Sequence, residues 1–351
     1  MQWRGSLRLK RWIDARHGEV AASDNIHRMP ATCAVPNRSA IHQTIGIGLP
    51  NAPPRVCDHK GPPVAHPHAD PTVVVGIATH NRATLLPKAI KSALDQSYRP
   101  LRVAVIDDGS IDETPALREQ FEPVSWERWD DAQGYVKARN RMMLGASEEY
   151  YVSLDDDARF IDGDEIEIAI EFMESRPSVA AVAFDIIAKW RPEKRPRGDS
   201  NAVRTFIGCG HILRLSVLKQ LGGYAKFPGS YGCEEKELCL RIIDAGYEIT
   251  VLPGVHVWHD YSPDGRNESQ YLSGLHNDLA MVLWRAPLPI LLPALIWRAH
   301  QQFRLARKIN CAHVLPKVVL DFVRAAPSLW HGRRPVRMSS IARYWALPPP
   351  D

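Results

Sequence analysis

The chain has 351 residues, 45% hydrophobic and 24% charged, with a net charge of +4. This is the composition of a soluble globular protein with room for one large domain plus appendages, or two domains. The charge is unevenly laid out, +4 over residues 1–70, −8 over 71–275 and +8 over 276–351. An acidic body argues against nucleic acid as partner and suits a site that holds cations, while a basic tail suits an anionic surface.

Residues 1–70 hold eight prolines and no sustained period, so they read as a Pro-rich, disordered extension. Met1–Arg16 alone could form a short basic helix. The N-terminus is broken by charges and shows no apolar signal core. The six cysteines contain no CxxC and read as reduced thiols of a cytoplasmic protein.

Order is expected from Pro71. Thr72–Ala78 is a β-branched run of buried-strand type, ending in the polar turn Thr79-His80-Asn81-Arg82. Leu86, Ile90 and Leu94 recur every four residues, which predicts a helix. Arg102–Ile106 is the next strand and ends in Asp107-Asp108-Gly109-Ser110. Thr114-Pro115 opens a second helix, with Pro at its first position. A third helix follows Gly134. This alternation predicts a parallel sheet with helices on its faces.

Tyr150–Leu154 is aromatic and β-branched and breaks into Asp155, Asp156 and Asp157. Three ionised carboxylates lose too much hydration to continue a buried strand, so they belong at its C-terminal end. That is the edge where ligands bind in open α/β sheets. Adjacent carboxylates repel, and hard oxygen ligands favour Mg2+ or Mn2+ shared with substrate phosphates. Taken alone, the triplet also describes a solvated acidic turn.

Farther on, Ile166, Ile170 and Met173 mark a helix ending at Pro177, and Val179–Phe184 a strand. Lys189–Asp199 is charged and Pro-rich, a loop with the character of a lid. Phe206–Leu213 reads as a strand, and Leu215–Leu221 as a short helix stopped by Gly222-Gly223. In Glu234–Ala245, Leu238, Ile242 and Ala245 share one helical face, which places Glu234 and Glu235 in the first turn. Tyr247–Val251 is a further strand, with His256 and His259 beyond it on what reads as a loop. The tail is helical, basic and rich in Trp, which suits an interfacial helix on anionic lipid. Its most apolar stretch, Pro287–Trp297, has eleven residues and three prolines, well short of the roughly 20 that a span needs.

Four stretches taken in order carry a resemblance: IATHNR (77–82), VIDDGSIDET (105–114), YYVSLDDDA (150–158) and CEEKELCLRI (233–242), the last preceded by GGY (222–224). Together they resemble a family 2 inverting glycosyltransferase over about residues 72–260. The resemblance implies an α/β GT-A fold, a Rossmann-like mixed sheet flanked by helices over 71–275, with the helical tail over 276–351. It implies a nucleotide-diphosphate sugar donor, a divalent ion (Mn2+ or Mg2+) and a hydroxyl acceptor on a glycan or lipid-linked carrier. The donor would be a UDP- or dTDP-sugar, the product a cell-surface polysaccharide or glycolipid, and the location cytoplasmic, at the inner face of the membrane.

The resemblance also distributes roles. Asp155 and Asp157 would hold the metal, and Asp156 would meet the ribose. The base would lie against Ala78, Thr79 and Asp108, with Asn81 supporting the same turn and Arg139 approaching the nucleotide. His259 would be the other metal ligand, with His256 the second choice. Glu235 would be the general base that deprotonates the acceptor. Here the chain departs from the family, whose pair is Glu-Asp, so the carboxylate is carried one methylene farther out. Two other readings stand beside this one: a nucleotidyltransferase of similar architecture and a catalytically inactive scaffold. The first expects a Gly-rich basic loop after the first strand, where this chain has THNR.

Overall fold

The computed structural model describes residues 70–350 except 190–191, 194–195, 197, 261–267 and 309–311. The expected N-terminal extension, its basic helix and part of Lys189–Asp199 lie outside the described residues.

The chain enters β1 (Val73–Thr79), α1 (Leu86–Leu94) and β2 (Leu101–Asp108). The helix expected at Thr114 is a 3-10 helix, Thr114–Gln120, followed by β3 (Ser125–Trp129), which the sequence did not announce. Then come α2 (Tyr135–Gly145), β4 (Tyr150–Leu154), β5 (Ala158–Phe160), α3 (Glu165–Glu174) and β6 (Val179–Ile187). The pair β7 (Asn201–Ala202) and β8 (Gly210–Arg214) precedes α4 (Leu215–Leu221) and α5 (Glu234–Asp244). The strand expected over Phe206–Leu213 thus starts four residues later, at Gly210. The last strand, β9 (Glu248–His259), is the longest of the described residues. Four helices close the chain: α6 (Glu268–Arg285), α7 (Leu288–Lys308), α8 (Leu315–His331) and α9 (Met338–Ala346).

The sheet runs β3-β2-β1-β4-β8-β6-β9-β5, with β7 against β9. The first four strands in this order are parallel, β8 is antiparallel to both of its neighbours, and β9 is parallel to β6. Buried on both faces, β1 alternates its side chains between two cores. Val73, Val75 and Ile77 meet Leu86 and Ile90 of α1 and Ile166 and Ile170 of α3. Val74 meets Met143 of α2 and Leu238 and Ile242 of α5 on the opposite face.

His256 and His259 sit on a strand, not on a loop. The strand expected over Tyr247–Val251 continues as β9 through Pro253-Gly254, on a register shift against β6 between Ala183 and Asp185, with Gly254 at φ +82°. A bulge of this kind redirects a strand without ending it.

In the tail, α6 packs against both α7 and α8 through small apolar clusters. Val336, two residues before α9, and Tyr344 within it join the core of the α5 face. Among the described residues, no helix is long and apolar enough to cross a membrane.

Candidate active site

Parallel register brings the C-terminal ends of β1, β2 and β4 to one edge: Thr79 pairs with Asp107, and Gly76 with Ser153. The aspartate triplet leaves β4 at that edge. The Thr79 hydroxyl donates to Asp156 Oδ2 at 2.8 Å. Burial and the neighbouring Asp157 push the Asp156 carboxyl up to about 7, against the pull of that hydroxyl.

The short strand β5 follows at once and pairs antiparallel with β9, setting Ala158 opposite His259. The Asp260 amide then donates to the Asp157 carbonyl at 2.8 Å. The ladder therefore carries His259 to the acidic turn, with its Nε2 3.2 Å from Asp157 Oδ1. Asp155, Asp157 and His259 each offer a ligand atom within 4.8 Å of the other two. Burial alone would raise Asp157, but the His259 imidazole brings it below the usual carboxylate range. Burial opposes charge on His259, yet the Cys209 thiol and Asp157 push its value up to about 11. Two carboxylates and an imidazole are a donor set for Mn2+ or Mg2+. Burial is the larger cause of the raised Asp156 value and the neighbouring Asp157 the second, a repulsion that a divalent cation relieves. The residues therefore fit a metal.

His256, the second choice as ligand, lies apart from this cluster. Its Nδ1 faces Asp162 Oδ2 at 3.1 Å. Strand alternation explains the split, because residues three apart on a strand point to opposite faces.

Arg139 is the connection between the acidic turn and α5. It is buried and ion-paired with Asp155, and its Nη1 is 3.7 Å from Glu235 Oε1. Its guanidinium also lies 4.9 Å from the ring of Tyr135, one helical turn earlier. The Tyr135 hydroxyl donates to Glu234. Glu235 keeps about 20% of its side chain exposed. Burial and the adjacent Glu234 push its carboxyl up to about 8, although Arg139 pulls the other way. A carboxyl raised this far can accept a proton near neutral pH. Gly208 supplies the room, since a Cβ there would run into the Glu235 carboxylate.

The nucleotide-side residues assemble differently from expectation. Asp108 is buried, and its two oxygens accept from the amides of Gln133 and Gly134 at 2.6 and 2.8 Å. Asn81, at φ +54°, fixes the turn by accepting from the Ile111 amide at 2.8 Å on its side chain, while its backbone amide donates to Ser110 Oγ at 2.9 Å. Ala78 is half-buried at the end of β1.

Sequence reasoning missed three contributors. Tyr135 could have been found, because its i, i+4 spacing from Arg139 puts both on one face of α2. Gly208 left no signal. Neither did the hold that α6 has on the loop before α5. There the Asn277 carboxamide accepts from the Gly229 amide at 2.9 Å and donates to the carbonyls of Gly229, Tyr231 and Gly232 at 2.9 to 3.2 Å. Ser273 Oγ accepts from the Tyr231 amide at 3.0 Å, and Cys233 Sγ lies 3.0 Å from Asp278 Oδ1.

The family model described as Glycosyl transferase family 2 matches residues 74–222. The chain is 30% identical over 192 residues to the putative teichuronic acid biosynthesis glycosyltransferase TuaG of Bacillus subtilis, covering 50% of this chain and 74% of that one. It is 24% identical over 198 residues to the glucosyl-dolichyl phosphate glucuronosyltransferase of Haloferax volcanii, covering 49% of this chain and 63% of that one. The chain thus spans less than two thirds of the latter relative. Among solved structures, a mannosyltransferase from Pyrobaculum calidifontis, in complex with GDP-Man and Mn2+, superposes with a TM-score of 0.53 at 18% identity, over 79% of this chain and 84% of that one. The likeness shows a GT-A fold. The extent of the match to TuaG, together with the family model, shows that the chain belongs to glycosyl transferase family 2.

Proposed function

We propose that the chain is a metal-dependent inverting glycosyltransferase that moves a sugar from a nucleotide-diphosphate donor to a hydroxyl acceptor. The observation that carries this reading is the joining of Asp155, Asp157 and His259 to Glu235 through Arg139. Asp155, Asp157 and His259 would hold the ion, whose chemistry is to offset charge developing on the departing diphosphate. Arg139 holds Asp155 in place and keeps a positive charge beside Glu235. Glu235, raised but within reach of ionisation, takes the proton of the attacking hydroxyl. Glu234, bonded to Tyr135, sets the second carboxylate aside from that task. Inversion follows because one carboxylate serves one displacement.

The donor is read as a UDP- or dTDP-sugar, with Asp156 beside the ribose and with Ala78, Thr79 and Asp108 around the base. Because Asp108 already accepts two amides, its part is to shape that wall as much as to bind. The acceptor is read as a glycan or lipid-linked hydroxyl in cell-surface polymer or glycolipid synthesis, consistent with the relatives' names. Residues 71–275 would form the transferase domain and 276–351 a tail that meets an anionic membrane surface on its cytoplasmic side. Residues 1–70 would be a separate extension.

The test is a panel of nucleotide sugars with Mn2+, scored for released nucleoside diphosphate. Release from at least one donor, abolished by chelator, is the expected result. Turnover that survives excess chelator would remove the metal from the reading. Absence of any metal-dependent UDP binding would favour the inactive scaffold.

A further inference from the structure

The helices α7 and α8 each bury one face against α6 and leave another bare. Leu291, Leu295 and Ala306 of α7 turn inward. On its outer side Leu288, Leu292 and Ile296 follow at intervals of four and are 63 to 66% exposed. The same division recurs on α8. Val318 and Leu329 are buried, while Val319, Val323 and Trp330 are 49 to 59% exposed. Two helices of one bundle thus present apolar stripes at helical spacing, which a monomer in water has no reason to keep.

The surroundings of these stripes say what covers them. From residue 288 to 350 the sequence has ten Lys and Arg and a single acid, Asp321, which already pairs with Lys317 at 2.5 Å. Arg304, Arg307 and Arg324 are exposed on the same two helices. Arginine also lies over aromatic rings at the edges: Arg307 is 5.7 Å from the ring of Phe303 and Arg333 is 5.3 Å from that of Trp330. Aromatics and arginines around an apolar strip are the arrangement of an interfacial helix, which sinks its strip among acyl chains and leaves its cations at the headgroups. A second copy of the same surface would bring like charges together with almost no acid to answer them. Pro293 within α7 and the lack of any sufficiently long apolar helix among the described residues keep the element on the bilayer, not through it.

We infer that the outer faces of α7 and α8 form a docking surface for an anionic phospholipid bilayer, with Leu292, Ile296 and Val323 inserted and Arg304, Arg307 and Arg324 at the phosphates. The inference gives residues to the membrane contact proposed above and rests on it. It is measured without any sugar transfer, so it fails or stands apart from the catalytic reading.

The experiment is sedimentation of the full chain with vesicles of phosphatidylcholine alone or mixed with phosphatidylglycerol. The chain is expected to bind the mixed vesicles, more weakly as salt rises. Removing one arginine should lower the partition roughly fivefold. Leu292→Glu with Ile296→Glu should abolish it, while thermal unfolding and Mn2+-dependent UDP binding stay as in the wild type. Equal binding to both vesicle types, or none to either, overturns the inference. So does a concentration-dependent dimer in light scattering that the same double substitution dissolves, because a second copy would then be the occupant.

Discussion

Glu235 has to be charged to act, and its surroundings oppose that charge. Its value is raised from an ordinary 4.5 to about 8. A carboxyl raised in this direction binds more protons folded than unfolded, so its contribution to stability falls as pH climbs through that window. Transfer should therefore rise with pH up to about 8 and then level off, as a rate profile under saturating metal will show. Glu235→Gln should lower turnover by about 10²- to 10⁴-fold and raise the melting temperature above pH 8, where the wild type carries the full cost. The Mn2+-dependent affinity for nucleotide should be unchanged in that variant and weakened in Asp157→Asn, as titration calorimetry will show. At this scale the sequence was informative where chemistry demands a residue type at a strand end. The placing of Asp155 and Asp157 at the end of β4 was legible for that reason, whereas Glu235, in the first turn of α5, was singled out through the family likeness. His259 was legible only through the family likeness, because its approach to Asp157 depends on the β5–β9 ladder, and β5 is three residues long. Tyr135 and Gly208 act by contact and by space, neither of which has a sequence pattern.

Element by element, α5 is held by others more than by itself. Glu237 is fully buried and accepts from Arg241 at 2.7 Å and from Arg285 of α6 at 2.6 Å. Glu237→Gln should cost about 3–5 kcal/mol by leaving Arg285 uncompensated, read as a lower denaturant midpoint. Asn277→Ala removes the partner of four backbone groups in the loop ahead of Glu235, at about 1–3 kcal/mol for the groups left unpaired. Its effect on turnover should exceed its effect on nucleotide binding. Gly208→Ala should reduce turnover by up to about 100-fold through displacement of the Glu235 carboxylate, with little change in thermal unfolding, since a flexible side chain gives way. The sequence located helices well where Leu and Ile recur every four residues, as in α1, α3 and α5. It ended β9 early because Pro-Gly is ordinarily punctuation, and it missed β3, whose SWERW lacks both alternation and a buried run.

Across the whole molecule, the transferase core and the tail are one packed body. Val336 and Tyr344 lie in the same apolar cluster as Leu238 and Ile242 of α5. Truncation after Arg334 would remove both and uncover the face of Leu238 and Ile242 that they cover, at about 1.5–3 kcal/mol per lost side chain, lowering the melting temperature and, through α5, the activity. The GT-A core was legible because buried parallel strands announce themselves as β-branched runs. The packing of the tail was not, because amphipathic helices do not say which neighbour they choose.

The grip of α6 on the loop over 229–233 has a consequence for anyone re-engineering this scaffold. A Cβ at Gly229 would meet Asn277 Oδ1 at 2.7 Å, so loop and helix are matched side chain to backbone. Grafting the loop alone from a homologue would import a key without its lock. The smallest exchangeable cassette runs from Gly229 through the end of α6. Chimeras cut there should keep their architecture, and those cut between loop and helix should not.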